Sequence, residues 1–169
     1  MEYKILEEMF TDENPKSVFE IGCANGGLLT DLMTKYPNLE VGGMDVSRCI
    51  SQCESLRGNF YREDLNDPWP VKDNSYDIVF SVGVLMYMFE PLSVLREMFR
   101  VAKDKVILAE YHHSEVDLCG QLTKGYINKG KIQTGIIRDY ISLLSLLKIP
   151  MSVTYQESSV GKTIIKCKL

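Results

Sequence analysis

The sequence predicts an α/β fold, a three-layer sandwich in which a mostly parallel sheet lies between layers of helices. Three observations predict it. Strand-like apolar runs alternate with segments of helical spacing through most of the chain. The first run passes into a helix through a small-residue turn, "FEIGCANGG" at residues 19–27. The last two runs, "SVTYQE" and "TIIKCKL", flank a Ser-Ser-Val-Gly turn and read as an antiparallel hairpin.

Each element follows from local chemistry. Ile5, Leu6, Met9 and Phe10 give a short amphipathic opening. "KSVFEIG" is a buried strand, after which Leu28, Leu29, Leu32, Met33 and Tyr36 follow at helical spacing until "YPN" stops them. "LEVGGMDV" is a second strand, and residues 48–56 a second helix closed by Gly58. "NFYRED" makes a third strand before the breaker-rich "LNDPWPVKDNS". "YDIVFSVGVL" is the fourth. Pro91 then opens a helix with Leu92, Leu95, Met98, Phe99 and Ala102 on one face. "KVILAEY" is the fifth strand. Residues 112–133 carry three glycines and little periodicity, and read as a long functional or mobile loop. From Thr134, Ile136, Ile137, Tyr140, Ile141, Leu144 and Leu147 predict a helix ending at Pro150. No repeat or linker interrupts residues 1–169, so one domain is expected.

Composition narrows the function. With 169 residues, 45% apolar and 25% charged, the chain can bury one ordinary core. A formal charge of -4 gives no basic field for a phosphate backbone, so duplex nucleic acid is not expected as a partner. Cys23, Cys49, Cys53, Cys119 and Cys167 are odd in number and contain no Cys-x-x-Cys pair, which suits reduced thiols in the cytoplasm. Cys49-x-x-x-Cys53 has Leu56 where an iron-sulfur triad needs its third cysteine. The opening "MEYKILEEMF" lacks an apolar signal core, and no run of about eighteen apolar residues occurs, so no membrane association is expected. Monomer and homodimer stay equally open.

In such a sheet, ligands bind beyond the carboxyl ends of the strands, beside the first one. Gly22, Ala24 and Gly26 let the backbone approach a ligand there. Two cofactor classes compete. Gly22-x-Ala24-x-x-Gly27 with Asp45 about twenty residues on is a degenerate dinucleotide fingerprint, which leaves an NAD-dependent oxidoreductase as a reading. A pyrophosphate, however, is repelled by a carboxylate such as Glu20, whereas a sulfonium ligand with an ammonium group tolerates it. Asp45 suits a ribose diol in either case. Asp64 offers a carboxylate for an adenine amino group beside the Leu65 amide, and Val46 and Leu65 supply apolar walls.

With these residues the sequence resembles the class I S-adenosylmethionine-dependent methyltransferases along nearly its whole length. "VFEIGCANGGLL" looks like their first motif, "GGMDVS" their ribose-binding strand end, "YREDL" their adenine-contacting segment, and "SYDIVFSVGVLMYM" their fourth-strand motif. The resemblance implies a Rossmann-like sheet of seven strands with the last reversed. It implies Glu20, Gly22, Cys23 and Gly26 around the methionine portion, with Ala24 in place of the commoner glycine. It also implies Asp45 and Val46 at the ribose, Asp64 and Leu65 at the adenine, and Ser81 near the amino acid group. The C-terminal half, through "GVLMYM", "VAKDKVILAEYHHSEV" and "IIRDYISLL", looks like small methylases associated with pseudaminic acid and other surface-sugar biosynthesis.

Methyl transfer from a sulfonium is an in-line displacement with a neutral leaving group, so orientation supplies most of the acceleration and a general base is optional. The Pro-Pro-aromatic signature of base amine methylation, the Pro-Cys nucleophile of cytosine methylation and the carboxylate cluster of metal-dependent catechol methylation are all missing, and no metal is expected. Candidate catalytic residues are Tyr87, where the family motif often has His, and His112 and His113 after the fifth strand. Glu110 is also compatible with a structural role. Lys124, Lys129, Lys131 and Arg138 make the next segment locally basic, which suits an anionic acceptor if they face the pocket. The expected function is transfer of a methyl group from S-adenosylmethionine to a small polar metabolite, such as a sugar or nucleotide-sugar precursor, releasing S-adenosylhomocysteine. The alternative is a non-catalytic cofactor-binding module acting on a partner protein.

Overall fold

The computed structural model describes residues 2–88, 90–112, 121–122, 126–128, 131–133 and 136–169. In chain order the elements are α1 (Glu2–Met9), β1 (Ser17–Ile21), α2 (Gly27–Lys35), β2 (Glu40–Met44), a 3-10 helix (Arg48–Ser55), β3 (Gly58–Tyr61), β4 (Tyr76–Val82) and a second 3-10 turn (Leu85–Tyr87). They continue with α3 (Pro91–Val101), β5 (Ala102–Glu110), β6 (Gln121–Leu122), β7 (Tyr126–Asn128), β8 (Lys131–Gln133), β9 (Ile136–Ile137), α4 (Tyr140–Ser145), β10 (Ser152–Glu157) and β11 (Thr163–Lys168).

Seven strands form one sheet in the order β10-β11-β5-β4-β1-β2-β3. The pairings from β3 through β5 are parallel, and β11 runs antiparallel to both β5 and β10. This is the mixed seven-stranded sheet with a reversed last strand that the resemblance implies. Chain order reverses beside β1, where crossovers leave to opposite sides and their loops part to open a crevice.

All five residues of β1 are buried, as a central strand covered on both faces requires. Alternation sends Phe19 and Ile21 into a core with α3 and α4, and Val18 into a core with α1, α2 and the first 3-10 helix. Phe10 of the α1 end meets Phe80 of β4 edge-on at 5.4 Å. At the far edge every residue of β10 is exposed.

Three sequence expectations are corrected. Residues 48–55 form a 3-10 rather than an α-helix, with Ser47 as its cap and Ile50 and Cys53 its buried residues. A spacing of three places that pair one above the other in a 3-10 turn. Gly58 opens β3 instead of closing that helix. The segment read as a loop and then a helix from Thr134 holds two short strand pairs, β7 with β8 and β6 with β9, and Ile136 and Ile137 belong to β9. The helix α4 begins only at Tyr140, because Asp139 caps it by accepting from the Ser142 amide at 3.0 Å and hydroxyl at 2.6 Å. Among the described residues, no helix is long and apolar enough to cross a membrane.

Candidate functional site

The small-residue turn is held by the neighbouring strand. The Gly22 and Cys23 amides donate to the Met44 carbonyl at 2.7 and 3.3 Å, and the Gly26 amide closes the turn onto the Cys23 carbonyl at 2.8 Å. Gly22 has φ +67, and a Cβ there would lie 2.4 Å from Val84 Cγ2, so only glycine lets the turn meet the end of β4. Ala24 also takes a left-handed conformation, φ 47. The alanine that stands in place of the commoner glycine is therefore a strained one.

Asp45 ties this turn to the next. Its Oδ2 accepts from the Ala24 amide at 2.9 Å and its Oδ1 from the Ser47 amide at 2.7 Å. A carboxylate has about four acceptor positions, so one on each oxygen remains for a ligand. Asp64 is shaped by its own Asx turn, with Oδ1 accepting from the Asn66 amide at 2.9 Å. Leu65 is anchored by its carbonyl, which accepts from the buried Trp69 indole at 3.1 Å.

These strand ends border a cleft of about 400 Å³ lined by Gly22, Asp45, Val46, Asp64, Leu65, Val82, Gly83, Val84, Tyr87 and Met88. Val46 is 64% exposed there and Tyr87 46%, an uncommon position for apolar surface beside two carboxylates. Among the described residues, the lining contains two carboxylates and no cation. A pyrophosphate is repelled by that field, whereas a cationic ligand with an apolar ring and a diol fits it.

Other expected residues stand behind the cleft. Glu20 is 3% exposed and Cys23 4%, beneath the turn rather than at its mouth. Burial first, and then the charge of Glu20, push the Cys23 thiol far above its ordinary range. Cys53 packs against it, and burial raises its thiol as well. Gly26 caps α2. Ser81 is fully buried and its hydroxyl donates to Glu110 Oε1 at 2.8 Å, so the lining comes from the three residues that follow it.

Glu110, at the end of β5, organises that side. Besides Ser81 it accepts from the Val84 amide at 3.1 Å, while its Oε2 is buried with no hydrogen-bond partner among the described residues. Burial holds its carboxyl above the ordinary value, against the opposing effect of these donors and of Lys162. Arg138, 2% exposed, donates to the Leu85 carbonyl at 3.3 Å and the Met88 carbonyl at 2.6 Å. Its charge thus fastens the turn after β4 rather than facing the pocket as a surface cation. His112 is also engaged: its side chain is 8% exposed, with Nδ1 accepting from the Tyr140 amide at 3.2 Å and lying 3.8 Å from Asp139. His113 lies outside the described residues, as do Lys124 and Lys129 and the side chain of Lys131. Of the two catalytic candidates among the described residues, Tyr87 lines the cleft and His112 does not.

Sequence reasoning missed Val82, Gly83, Val84 and Met88 as lining residues and Arg138 and Lys162 as parts of the surrounding scaffold. The strand-end motif located the first three in principle, since residues after a fourth strand border the same crevice.

Residues 12–137 match a family model described as "Methyltransferase domain". Over 104 residues the chain is 25% identical to a tRNA U34 carboxymethyltransferase of Nautilia profundicola, covering 58% of this chain and 34% of that protein. The chain thus spans about a third of the length of this curated relative. Among solved structures, a SAM-dependent methyltransferase from Aquifex aeolicus superposes with a TM-score of 0.69 at 19% identity, covering 99% of this chain and 88% of that one. Human N-acetylserotonin methyltransferase, solved in complex with SAM, gives a TM-score of 0.71 at 15% identity, covering 99% of this chain and 51% of that one. At those identities the superpositions carry the fold, and the family match carries the assignment. With most of its length inside the matched range, the chain belongs to the methyltransferase domain family, and S-adenosylmethionine is the cofactor of that family's Rossmann-like fold.

Proposed function

We propose that the cleft binds S-adenosylmethionine and that the protein transfers its methyl group to a small polar acceptor, with an acidic carbohydrate precursor favoured. The observation that carries this reading is the exposed Val46, which shares one lining with the carboxylates of Asp45 and Asp64 and with Leu65. Apolar contact on a flat ring, a carboxylate for a diol and a second for an amino group make the recognition set of an adenosine. Bound there, S-adenosylmethionine supplies a methyl group activated by a sulfonium centre. Asp45 orients the ribose with the acceptor positions that the Ala24 and Ser47 amides leave open, and the Asp64–Leu65 segment holds the adenine. Gly22 and Gly83 bring bare backbone to the cleft lining, and the half-exposed Tyr87 adds an aromatic ring to it. Holding two reactants in line supplies on the order of 7 to 11 kcal/mol in favourable cases, so positioning by these groups is sufficient without a strong base.

The preference for a carbohydrate rests on the resemblance of the C-terminal half to surface-sugar methylases. A tRNA acceptor is the second reading, favoured by the name of the Nautilia relative. Against it stands the formal charge of -4. Incubating the protein with methyl-labelled S-adenosylmethionine and fractionated cell extract separates the readings. Label in the small-molecule fraction is expected. Label in the RNA fraction establishes the second reading, and cofactor binding with no label in any fraction establishes the non-catalytic module.

A further inference from the structure

Lys162 lies in the turn between β10 and β11, and because Thr163 pairs with Glu110, it stands at the same edge of the sheet as the end of β4. Its ammonium is 3.9 Å from the centre of the Tyr111 ring. It is also 2.6 Å from where a Cβ on Gly83 would be. Gly83 lines the cleft and has φ +66, so the absence of a side chain there lets the ammonium reach the cleft's border.

The surroundings of this cation are incomplete. An ammonium carries three hydrogen-bond donors, and an aromatic face attracts the charge without supplying a conventional acceptor. Among the described residues, no oxygen takes a hydrogen bond or a close ion pair from Lys162 Nζ. Glu110 acts on it through charge alone, its Oε1 being occupied by Ser81 and Val84. Burial lowers the lysine's affinity for its proton, and Glu110 offsets part of that. A half-buried ammonium whose donors meet no oxygen of the described residues is placed to make charge-assisted bonds to an anion that enters the cleft.

We propose that Lys162 is the anion-receiving residue of the acceptor subsite, taking a carboxylate or phosphate of the acceptor beside Gly83. The assignment rests on the methyltransferase reading above for its purpose, and on the Lys162, Tyr111 and Gly83 geometry for its place. Tyr111 fixes the ammonium from one side, and the acidic group enters from the cleft. The acceptor is thereby anchored at its charged end, leaving its methyl-accepting atom to be placed by the rest of the lining.

The test is titration of the protein with sodium acetate and with inorganic phosphate, against sodium chloride at equal ionic strength. The amide resonances of Gly83 and Val84 are followed by NMR with and without S-adenosylhomocysteine. Saturable shifts with acetate or phosphate are expected in the parent, weakened at least about tenfold in Lys162→Met and retained in Lys162→Arg. A response no different from chloride, or one of equal affinity in Lys162→Met, overturns the proposal. If Lys162→Met does not fold, the parent's own Lys162 Cε resonance decides: a saturable shift with either anion supports the site and its absence overturns it. Parallel calorimetry of the parent with S-adenosylhomocysteine keeps the two readings apart. Cofactor binding without an anion response removes Lys162 alone. No cofactor binding removes the proposed function, and the anion titration still decides the site.

Discussion

On the β1–β3 side of the cleft the holding groups are mostly backbone: Gly22 and Cys23 hang from the Met44 carbonyl, and Asp45 links Ala24 to Ser47. On the β4–β5 side the turn after β4 is held by buried charged side chains from other elements, Glu110 at the end of β5 and Arg138 after β9. The first arrangement presents a cofactor surface whose shape is fixed by turn geometry. The second supports a surface whose shape depends on a few side chains, which suits a region where acceptors differ among relatives of one fold.

If that contrast is right, removing one side chain from the second side has the largest effect. Glu110→Ala leaves the Ser81 hydroxyl and the Val84 amide without their acceptor, and a loss of about 3 kcal/mol is expected by urea denaturation. Glu110→Gln keeps an acceptor oxygen and should lose much less. Equal losses contradict the role given to that oxygen.

On the first side the backbone is the target. Gly22→Ala combines a left-handed residue with a methyl group 2.4 Å from Val84, and should destabilise by about 2 kcal/mol. A shift of chemical-shift perturbations away from residues 81–88 in that variant contradicts the contact between turn and strand end.

The titration of Glu110 sharpens the comparison further. Its folded carboxyl sits above the ordinary 4.5, so the folded chain binds more protons than the unfolded one between those values. The corresponding stability is present below the unfolded value and is lost as pH rises through the folded one. The difference in unfolding free energy between parent and Glu110→Gln should therefore change with pH above 4.5, moving against the parent. Parallel curves for the two proteins contradict it.

The smallest effect is expected at Ala24. Its φ of 47 is left-handed, and Ala24→Gly should stabilise by up to about 1 kcal/mol, read as a higher urea midpoint. A lower midpoint means that the turn gains more from the alanine than from relief of strain.

The same contrast explains what was legible in the sequence. Glycine 22 and the strand-end residues Asp45, Val46, Asp64 and Leu65 were readable because each sits at the junction where a hydrophobic run stops, and parallel topology then gathers such junctions at one edge. Glu20 was legible as unusual: it is buried at the end of β1, while the carboxylates in the cleft lining are Asp45 and Asp64. Glu110 with Ser81, Arg138 with Leu85 and Met88, and Lys162 with Tyr111 carry no shared local pattern, since only tertiary structure brings them together. Residues 134–150 looked helical because Ile136 and Ile137 fit the period, yet Asp139 was the readable signal for a later start.

The central claim is that the β1–β3 side binds the adenosine end of S-adenosylmethionine. Calorimetric titration of the parent and of Asp45→Ala with S-adenosylhomocysteine, and of the parent with NAD, tests it most directly. Saturable binding of S-adenosylhomocysteine to the parent, at least about tenfold weaker in Asp45→Ala, and no binding of NAD are predicted. Binding of NAD in place of S-adenosylhomocysteine, or of neither, contradicts the account.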